Sequence, residues 1–331
     1  MTGSSVGWAR CESARAASWR RLFCSSPCSR RCSATMSCLA VAPVLLELCR
    51  ARRLDTTPFL LGLACAANIG SAATLIGNPQ NMLIGGRLGL HFADYLAAAA
   101  APVAGSLVAT WLVIAWLWRR GWSEATPLAD TPRTVAEVSR AHPLSRWQAA
   151  KGLAVAGALF VLFLFSDWSR ELVALAGAGV LLLSRKLHSR QMLGLVDWQA
   201  LLLFIGLFIV NDALERTGLP GHAVDDLAAV GIDLHAPAAL YGVTFVLSNL
   251  VSNVPAVMLL LPIATPDQGV LLALSSTLAG NLFIVGSIAN IIVVDAAARG
   301  GSPIGWRQHA RVGVPVTLLS LAISAASLFA R

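Results

Sequence analysis

The stretch Ala67-Asn68-Ile69-Gly70-Ser71-Ala72-Ala73-Thr74-Leu75-Ile76-Gly77-Asn78-Pro79-Gln80-Asn81 decides the fold. It lies inside an apolar run, 58–86, that is long enough to enter a bilayer, since a span needs about 20 residues. Within hydrocarbon every backbone N–H and C=O must find a partner, so a Gly-Asn-Pro break cannot face lipid. Pro79 removes one donor and frees the carbonyl a turn earlier. Gly77 permits the backbone dihedrals and the close approach that a break requires. Ser71, Thr74, Asn78 and Asn81 supply side-chain oxygens. The stretch therefore predicts a discontinuous helix, buried in protein or beside a polar cavity. Freed carbonyls and amide oxygens suit a weakly held, hard monovalent cation such as sodium. The half-helix that follows points its positive end at an anion. The bland alternative is a proline kink lined by packed asparagines.

The rest of the chain agrees with a membrane setting. Of 331 residues, 56% are hydrophobic and 13% are charged, against about 25% charged in an ordinary soluble domain. Mean hydropathy is +0.68. So few charges cannot cover a soluble globule, and so much apolar character excludes disorder for most of the chain. All seven cysteines (Cys11, Cys24, Cys28, Cys32, Cys38, Cys49 and Cys65) lie early in the chain, which excludes a disulfide-stapled fold. What remains is an all-α polytopic membrane protein. The net charge of +8 does not point to nucleic acid, because the basic residues cluster between apolar runs. Lys151 and Lys186 are the only lysines, and alanine, leucine and arginine dominate, as in a GC-rich bacterial gene. The expected location is the bacterial cytoplasmic (inner) membrane.

Apolar runs cover 58–86, 96–118, 152–166, 170–184, 197–214, 236–265, 269–298 and 310–329. Three are interrupted: 58–86, 236–265 by Ser-Asn-Leu-Val-Ser-Asn-Val-Pro, and 269–298 by Gly-Ser-Ile-Ala-Asn. With 236–265 read as a re-entrant hairpin, cytoplasmic segments hold 15 Arg/Lys and outer connections only Arg87, Arg170 and Arg216. Read as a full span, it weakens the bias to 12 against 6. The positive-inside rule favours the hairpin. Gly77-Asn78-Pro79-Gln80-Asn81 aligns with Gly286-Ser287-Ile288-Ala289-Asn290, and Ala42-Pro43-Val44 resembles Leu261-Pro262-Ile263. In the traced topology the two copies run in opposite directions. The expected fold class is therefore an inverted repeat with re-entrant hairpins and discontinuous helices, the architecture of secondary transporters.

Ser252-Asn253-Val254-Pro255 falls where a hairpin tip would lie at half-membrane depth. Tip amides and Asn253 suit a substrate carboxylate and a cation; the alternative is a plain extracellular turn. Asp212 and Asp295 lie near run ends and read as interfacial. No carboxylate proton pathway is visible, which tilts coupling toward sodium. No Ser/His/Asp set, metal-spaced cluster or phosphate loop is present, so an enzyme is not expected, and no cofactor beyond a coupling ion.

At ANIGSAATLIGNPQN (67–81), DWQALLLFIGLFIV (197–210), SNLVSNVP (248–255) and GNLFIVGSIANIIV (280–293) the chain resembles the ion-transporter superfamily. That group holds divalent anion:sodium symporters, citrate-transporter-like permeases and arsenite/antimonite permeases. The resemblance implies two hairpins and two broken helices around one small anionic substrate, with a cation site at each tip and neighbouring break. Carried over by residue, it assigns Gly77, Asn78 and Asn81 to the first break and Gly286, Ser287 and Asn290 to the second. Ser252 and Asn253 match the second Ser-Asn tip. Sodium would then be held by Ser252, Asn253, Gly286 and Asn290. Val254 replaces the threonine of dicarboxylate symporters, which argues against a site of their type. A homodimer in the lipid bilayer, moving substrate by an elevator motion, is also implied.

The chain divides into 1–36, which does not match the pattern, 37–118 as the remnant of a first repeat, a cytoplasmic loop 119–151, and a second repeat 152–331. Residues 1–36 hold six arginines and no apolar run. Together with the abrupt start of similarity near Cys38, they read as a non-native start from a truncated or misframed gene. Two further readings stay open: a membrane remnant or assembly partner without transport, and a permease for arsenite or for cation/proton exchange.

Overall fold

A computed structural model describes residues 41–49, 52, 54–119, 146–166, 168–182 and 198–330. Among these no strand occurs, and the chain is an all-α protein. After a helical stretch at 41–49 come α1 (Thr57–Ser71), α2 (Pro79–Arg87) and α3 (Phe92–Leu117). The peripheral helices are α4 (Arg146–Phe165), α5 (Arg170–Leu182), α6 (Trp198–Arg216) and α7 (Leu219–Ala229). The second block holds α8 (Pro237–Val251), α9 (Asn253–Leu260), α10 (Gly269–Ala279), α11 (Ile288–Arg299) and α12 (Trp306–Phe329).

The centre of the molecule is α10, on which every residue except Val270 is buried. A helix apolar all round is stable only when enclosed, and α1, α2, α8, α9 and α12 enclose it. The pairings recur. Helix α1 lies on α11 as α2 lies on α10, and α3 packs on α1 as α12 packs on α10. The two long helices α3 and α12 pack on each other most extensively. Lipid gives no hydrophobic drive between helices, so small residues that allow close contact carry such an interface. Here Gly105 on α3 faces Ile323 on α12, where an added Cβ would lie 2.9 Å from that side chain. Among the described residues, only α3 and α12 are long and apolar enough to cross a membrane by themselves.

The run 236–265 splits at Ser252, and its arms α8 and α9 pack against each other. Ser252 holds φ at 78° and ψ at 158°, the only positive φ outside glycine among the described residues. That region is nearly closed to side-chain-bearing residues and costs on the order of 1–3 kcal/mol.

Three boundaries differ from the sequence reading. Helix α4 begins at Arg146, inside the segment read as loop 119–151, because Gln148-Ala149-Ala150-Lys151 are good helix formers that extend the helix beyond its apolar run. The connection between 214 and 236 contains α7, started afresh after Gly218, whose φ of 73° ends α6. Pro43 stands within the helical stretch 41–49, whereas Pro262 falls in the turn after α9, so these two aligned blocks adopt different local conformations. Cys24, Cys28 and Cys32, and most of the proposed loop 119–151, lie outside the described residues.

Candidate functional site

Helix α1 stops at Ser71, and the chain turns through 72–78 before α2 begins at Pro79. Proline at a first helical position loses nothing, since that N–H has no helical partner. Asn78 caps α2 by accepting from the Asn81 N–H at 2.8 Å. Gly77 is required for space: a Cβ there would lie 1.9 Å from the Ser71 carbonyl oxygen. The fully buried Asn81 amide repairs the break from inside. Its Nδ2 donates to the Thr74 carbonyl at 3.1 Å and to the Tyr95 hydroxyl at 3.0 Å, and reaches the Ser71 carbonyl at 3.5 Å. The Tyr95 hydroxyl in turn donates to the Ala72 carbonyl at 2.8 Å.

The second break follows the same plan. Helix α10 ends at Ala279, a short 3-10 turn spans Ile284–Gly286, and α11 begins at Ile288. Ser287 caps α11 by accepting from the Ala289 N–H at 3.2 Å. A Cβ on Gly286 would sit 2.8 Å from the Gly280 carbonyl oxygen. Asn290, fully buried, donates from Nδ2 to the Gly280 carbonyl at 2.9 Å and the Phe283 carbonyl at 3.2 Å. These carbonyls stand 10 and 7 residues back, the same intervals that Asn81 covers. The His309 ring meets the Asn281 carbonyl at 3.1 Å, as Tyr95 meets Ala72.

The two breaks touch. Asn68 Nδ2 donates to the Thr277 carbonyl at 2.8 Å and to Asn281 Oδ1 at 3.1 Å. The Ser287 hydroxyl donates to Asn68 Oδ1 at 3.0 Å, and Asn78 Nδ2 donates to the Thr277 hydroxyl at 3.1 Å. Gln80 Nε2 reaches the same hydroxyl at 3.3 Å. Each cap thus bonds the last turn of the opposite helix, Asn78 across 199 residues and Ser287 across 219. Both half-helix N-termini, of α2 and α11, face this shared polar core.

The hairpin tip joins at one corner. Asn253 is buried and donates from Nδ2 to the Gly286 carbonyl at 3.3 Å. Ser252 is exposed, Val254 and Pro255 are half-buried, and the last two bring no polar side-chain group. Among the described residues, buried side-chain atoms without a partner include three hydroxyls on α12 (Thr317, Ser320 and Ser324) and, at the second break, the tip and α8, Asn253 Oδ1, Asn290 Oδ1, Asn281 Nδ2, His309 Nδ1, Ser248 Oγ and Asn249 Oδ1. No side-chain atom of the first break is left so. An unpartnered buried polar group costs about 1–3 kcal/mol, so these atoms are where a ligand recovers free energy.

The predicted residues divide accordingly. Ser71, Asn78, Asn81, Ser287 and Asn290 are buried in the shared core, and Thr74 contributes its carbonyl. Gly77 and Gly286 act by their missing Cβ. Carbonyls expected to be free are held by the Asn81 and Asn290 amides, leaving the amide oxygens of Asn253 and Asn290 as the open donors to a cation. Sequence reasoning missed Asn68, Gln80, Tyr95, Thr277, Asn281 and His309. A signal existed for one pair: Asn68 and Thr277 each stand 13 residues before the break asparagine, polar in an apolar run. Among the described residues no cluster of three His, Cys, Asp or Glu could hold a metal. Asp212 and Asp295 form exposed ion pairs with Arg216 (2.9 Å) and Arg299 (2.6 Å). A cleft of about 740 Å³ between α2, α6 and α9 is lined by Arg87, Asn211, Asp212 and Pro262 and contains none of the predicted site residues.

Comparison with known proteins follows the same direction. The citrate transporter family profile matches residues 23–269. An uncharacterized transporter of Mycobacterium tuberculosis is 32% identical over 316 residues, covering 88% of this chain and 72% of that protein. A silicon efflux transporter of rice (Oryza sativa subsp. japonica) is 27% identical over 358 residues, covering 86% and 73%. An inner membrane protein of Escherichia coli K12 is 32% identical over 272 residues, covering 81% and 66%.

Proposed function

This chain belongs to the citrate transporter family and is an integral membrane transporter, and on that premise we propose that it is a cation-coupled permease for a small anion. The cation is sodium, held by Asn253 and Asn290 amide oxygens with Ser252 and the Gly286 backbone. The substrate lies between the tip 252–255 and the two breaks, its negative charge met by the N-termini of α2 and α11. The observation that carries this reading is the pair of buried, unpartnered amide oxygens on Asn253 and Asn290 beside the only strained non-glycine residue described, Ser252. Neutral oxygens bind a monovalent cation weakly enough to release it each cycle. The protein works in a bacterial cytoplasmic membrane as a homodimer, with its two repeats in inverted orientation around the site.

The test is uptake of labelled citrate, succinate or sulfate into proteoliposomes under an inward sodium gradient. Sodium-dependent accumulation of one of them supports the reading; no accumulation of any under sodium or proton gradients refutes it. A second reading is favoured by one observation: among the described residues the side chains that donate into the breaks and the tip are neutral, such as Asn68, Asn78, Gln80, Asn81, Asn253, Ser287 and Asn290. A small uncharged substrate would need no cationic side chain, and the rice relative is named as a silicon efflux transporter. Arsenite or silicic acid flux in the same vesicles, without anion uptake, would select it.

A further inference from the structure

We propose that His309 is a positioning residue that holds the second break closed in its neutral form and makes that break, but not the first, open in acid. This rests on the reading of the second break as a binding site.

Helices α3 and α12 each follow a broken helix, and the fourth residue of each bonds that break. In α3 it is Tyr95, whose hydroxyl donates to the Ala72 carbonyl at 2.8 Å. In α12 it is His309, whose Nε2 lies 3.1 Å from the Asn281 carbonyl. Ala72 and Asn281 stand at matching places, each nine residues before the break asparagine, Asn81 or Asn290. The ring has been given room. A Cβ on Gly313, one turn further along α12, would lie 2.5 Å from the Asn281 oxygen and 3.0 Å from His309 Nε2. From Asn281 the contact continues inward, since its Oδ1 accepts from Asn68 Nδ2, and Asn68 Oδ1 accepts from the Ser287 cap.

A carbonyl only accepts, so Nε2 carries the hydrogen and Nδ1 is a bare lone pair. Nδ1 is buried without a partner. Adding a proton there creates an N–H with no acceptor and a charge with no water, both costly. The ring can meet that demand only by leaving Asn281 or by letting water into the break. At the matching place the first half carries a phenol, which has no bare ring nitrogen to take up a proton, so only the second half responds to acid in this way. No other group competes for the ring. The titratable residues on the helices packed against α12 are Cys65 on α1, Asp94 and Tyr95 on α3, and Tyr241 on α8; α10 has none. Asp94 is 88% exposed beside His91, the Tyr95 and Tyr241 hydroxyls donate to Ala72 and Leu321, and Cys65 is a buried free thiol. On α12 itself, Arg307 and Arg311 are exposed; on α11, Asp295 and Arg299 pair with each other.

The experiment is amide hydrogen exchange on the purified full chain in nanodiscs, corrected for the intrinsic pH dependence of exchange. It compares wild type, His309→Gln (a neutral donor of similar reach) and His309→Leu at about pH 7.5 and at the lowest pH at which the chain stays monodisperse. Wild type should exchange several-fold faster at 280–287 in acid and unchanged at 72–78. His309→Gln should remain protected at both pH values, and His309→Leu should be unprotected at both. An acid response in His309→Gln equal to wild type, or full protection in His309→Leu, overturns the proposal. A parallel series with and without sodium chloride separates it from the cation reading. Loss of sodium protection in every variant would refute sodium binding and leave the acid response of wild type as the test of His309.

Discussion

At the first break Asn81 has both ends of its amide engaged: Nδ2 holds the Thr74 carbonyl and Oδ1 accepts from the Thr277 hydroxyl at 3.3 Å. At the second, Asn290 holds the equivalent carbonyls with Nδ2, while its Oδ1 is buried with no partner. The same asparagine in the same position therefore uses its whole amide at one break and keeps a spare acceptor at the other. The difference teaches that a broken helix in this protein is first a repair problem. Asparagine solves it by donating to stranded carbonyls, and a binding site arises only where the repair leaves acceptors over. The unused acceptors lie beside Asn253 and the strained Ser252, at the hairpin tip.

The sharpest way to break this comparison is at the two glycines. Gly77→Ala would set a Cβ 1.9 Å from a backbone oxygen, against 2.8 Å for Gly286→Ala. Overpacking typically costs about 1–3 kcal/mol and more where backbone is struck. Gly77→Ala should therefore abolish monodisperse protein on size exclusion, while Gly286→Ala should give folded protein with a lowered thermal midpoint. Equal behaviour would mean the breaks are equally tight.

The asparagines come next. Asn81→Ala and Asn290→Ala should each lose about 1–3 kcal/mol of stability from stranded carbonyls. Only Asn290→Ala and Asn253→Ala should abolish stabilisation by sodium, worth about 2.7 kcal/mol at a hundredfold excess over Kd. A thermal-shift titration with sodium checks this, with potassium as control. An unchanged sodium shift in both variants would remove the assigned site. Ser252→Gly should relieve the φ of 78° and raise the thermal midpoint by about 1 kcal/mol equivalent. The same variant should weaken the sodium shift if the hydroxyl is a ligand. The smallest effects belong to Asp212→Asn and Asp295→Asn. Each breaks an exposed ion pair, so stability should move by no more than about 1 kcal/mol. Vesicle flux should be unchanged, and a lost flux would bring those carboxylates into the transport path.

Much of the local architecture was legible beforehand. Gly77-Asn78-Pro79 and Gly286-Ser287 were legible as interruptions because glycine and polar side chains cluster there within apolar runs; proline alone would not have decided it, since Pro102 and Pro315 sit inside the continuous helices α3 and α12. Ser252 had to be a turn, because each flanking arm is too short to cross. The extension of α4 to Arg146 and the presence of α7 were not legible, since both depend on helix propensity outside the apolar runs. Nor were Asn68 and Thr277 legible as partners. Each looks like one polar residue on an apolar helix until the two helices cross.

The amino-acid sequence by itself determined a membrane-embedded all-α chain, the positions of its two breaks and its hairpin tip, and the repetition of one break pattern. These follow from backbone hydrogen-bonding demand, which acts within a few residues. Only the tertiary structure decided which polar atoms satisfy one another and which are left over. Asn290 and Asn81 carry identical chemistry, and the Thr277 hydroxyl meets one of them alone because of how α10 crosses α2. Hydrogen-bond satisfaction in a buried core is a property of the packing, and no spacing along the chain encodes it.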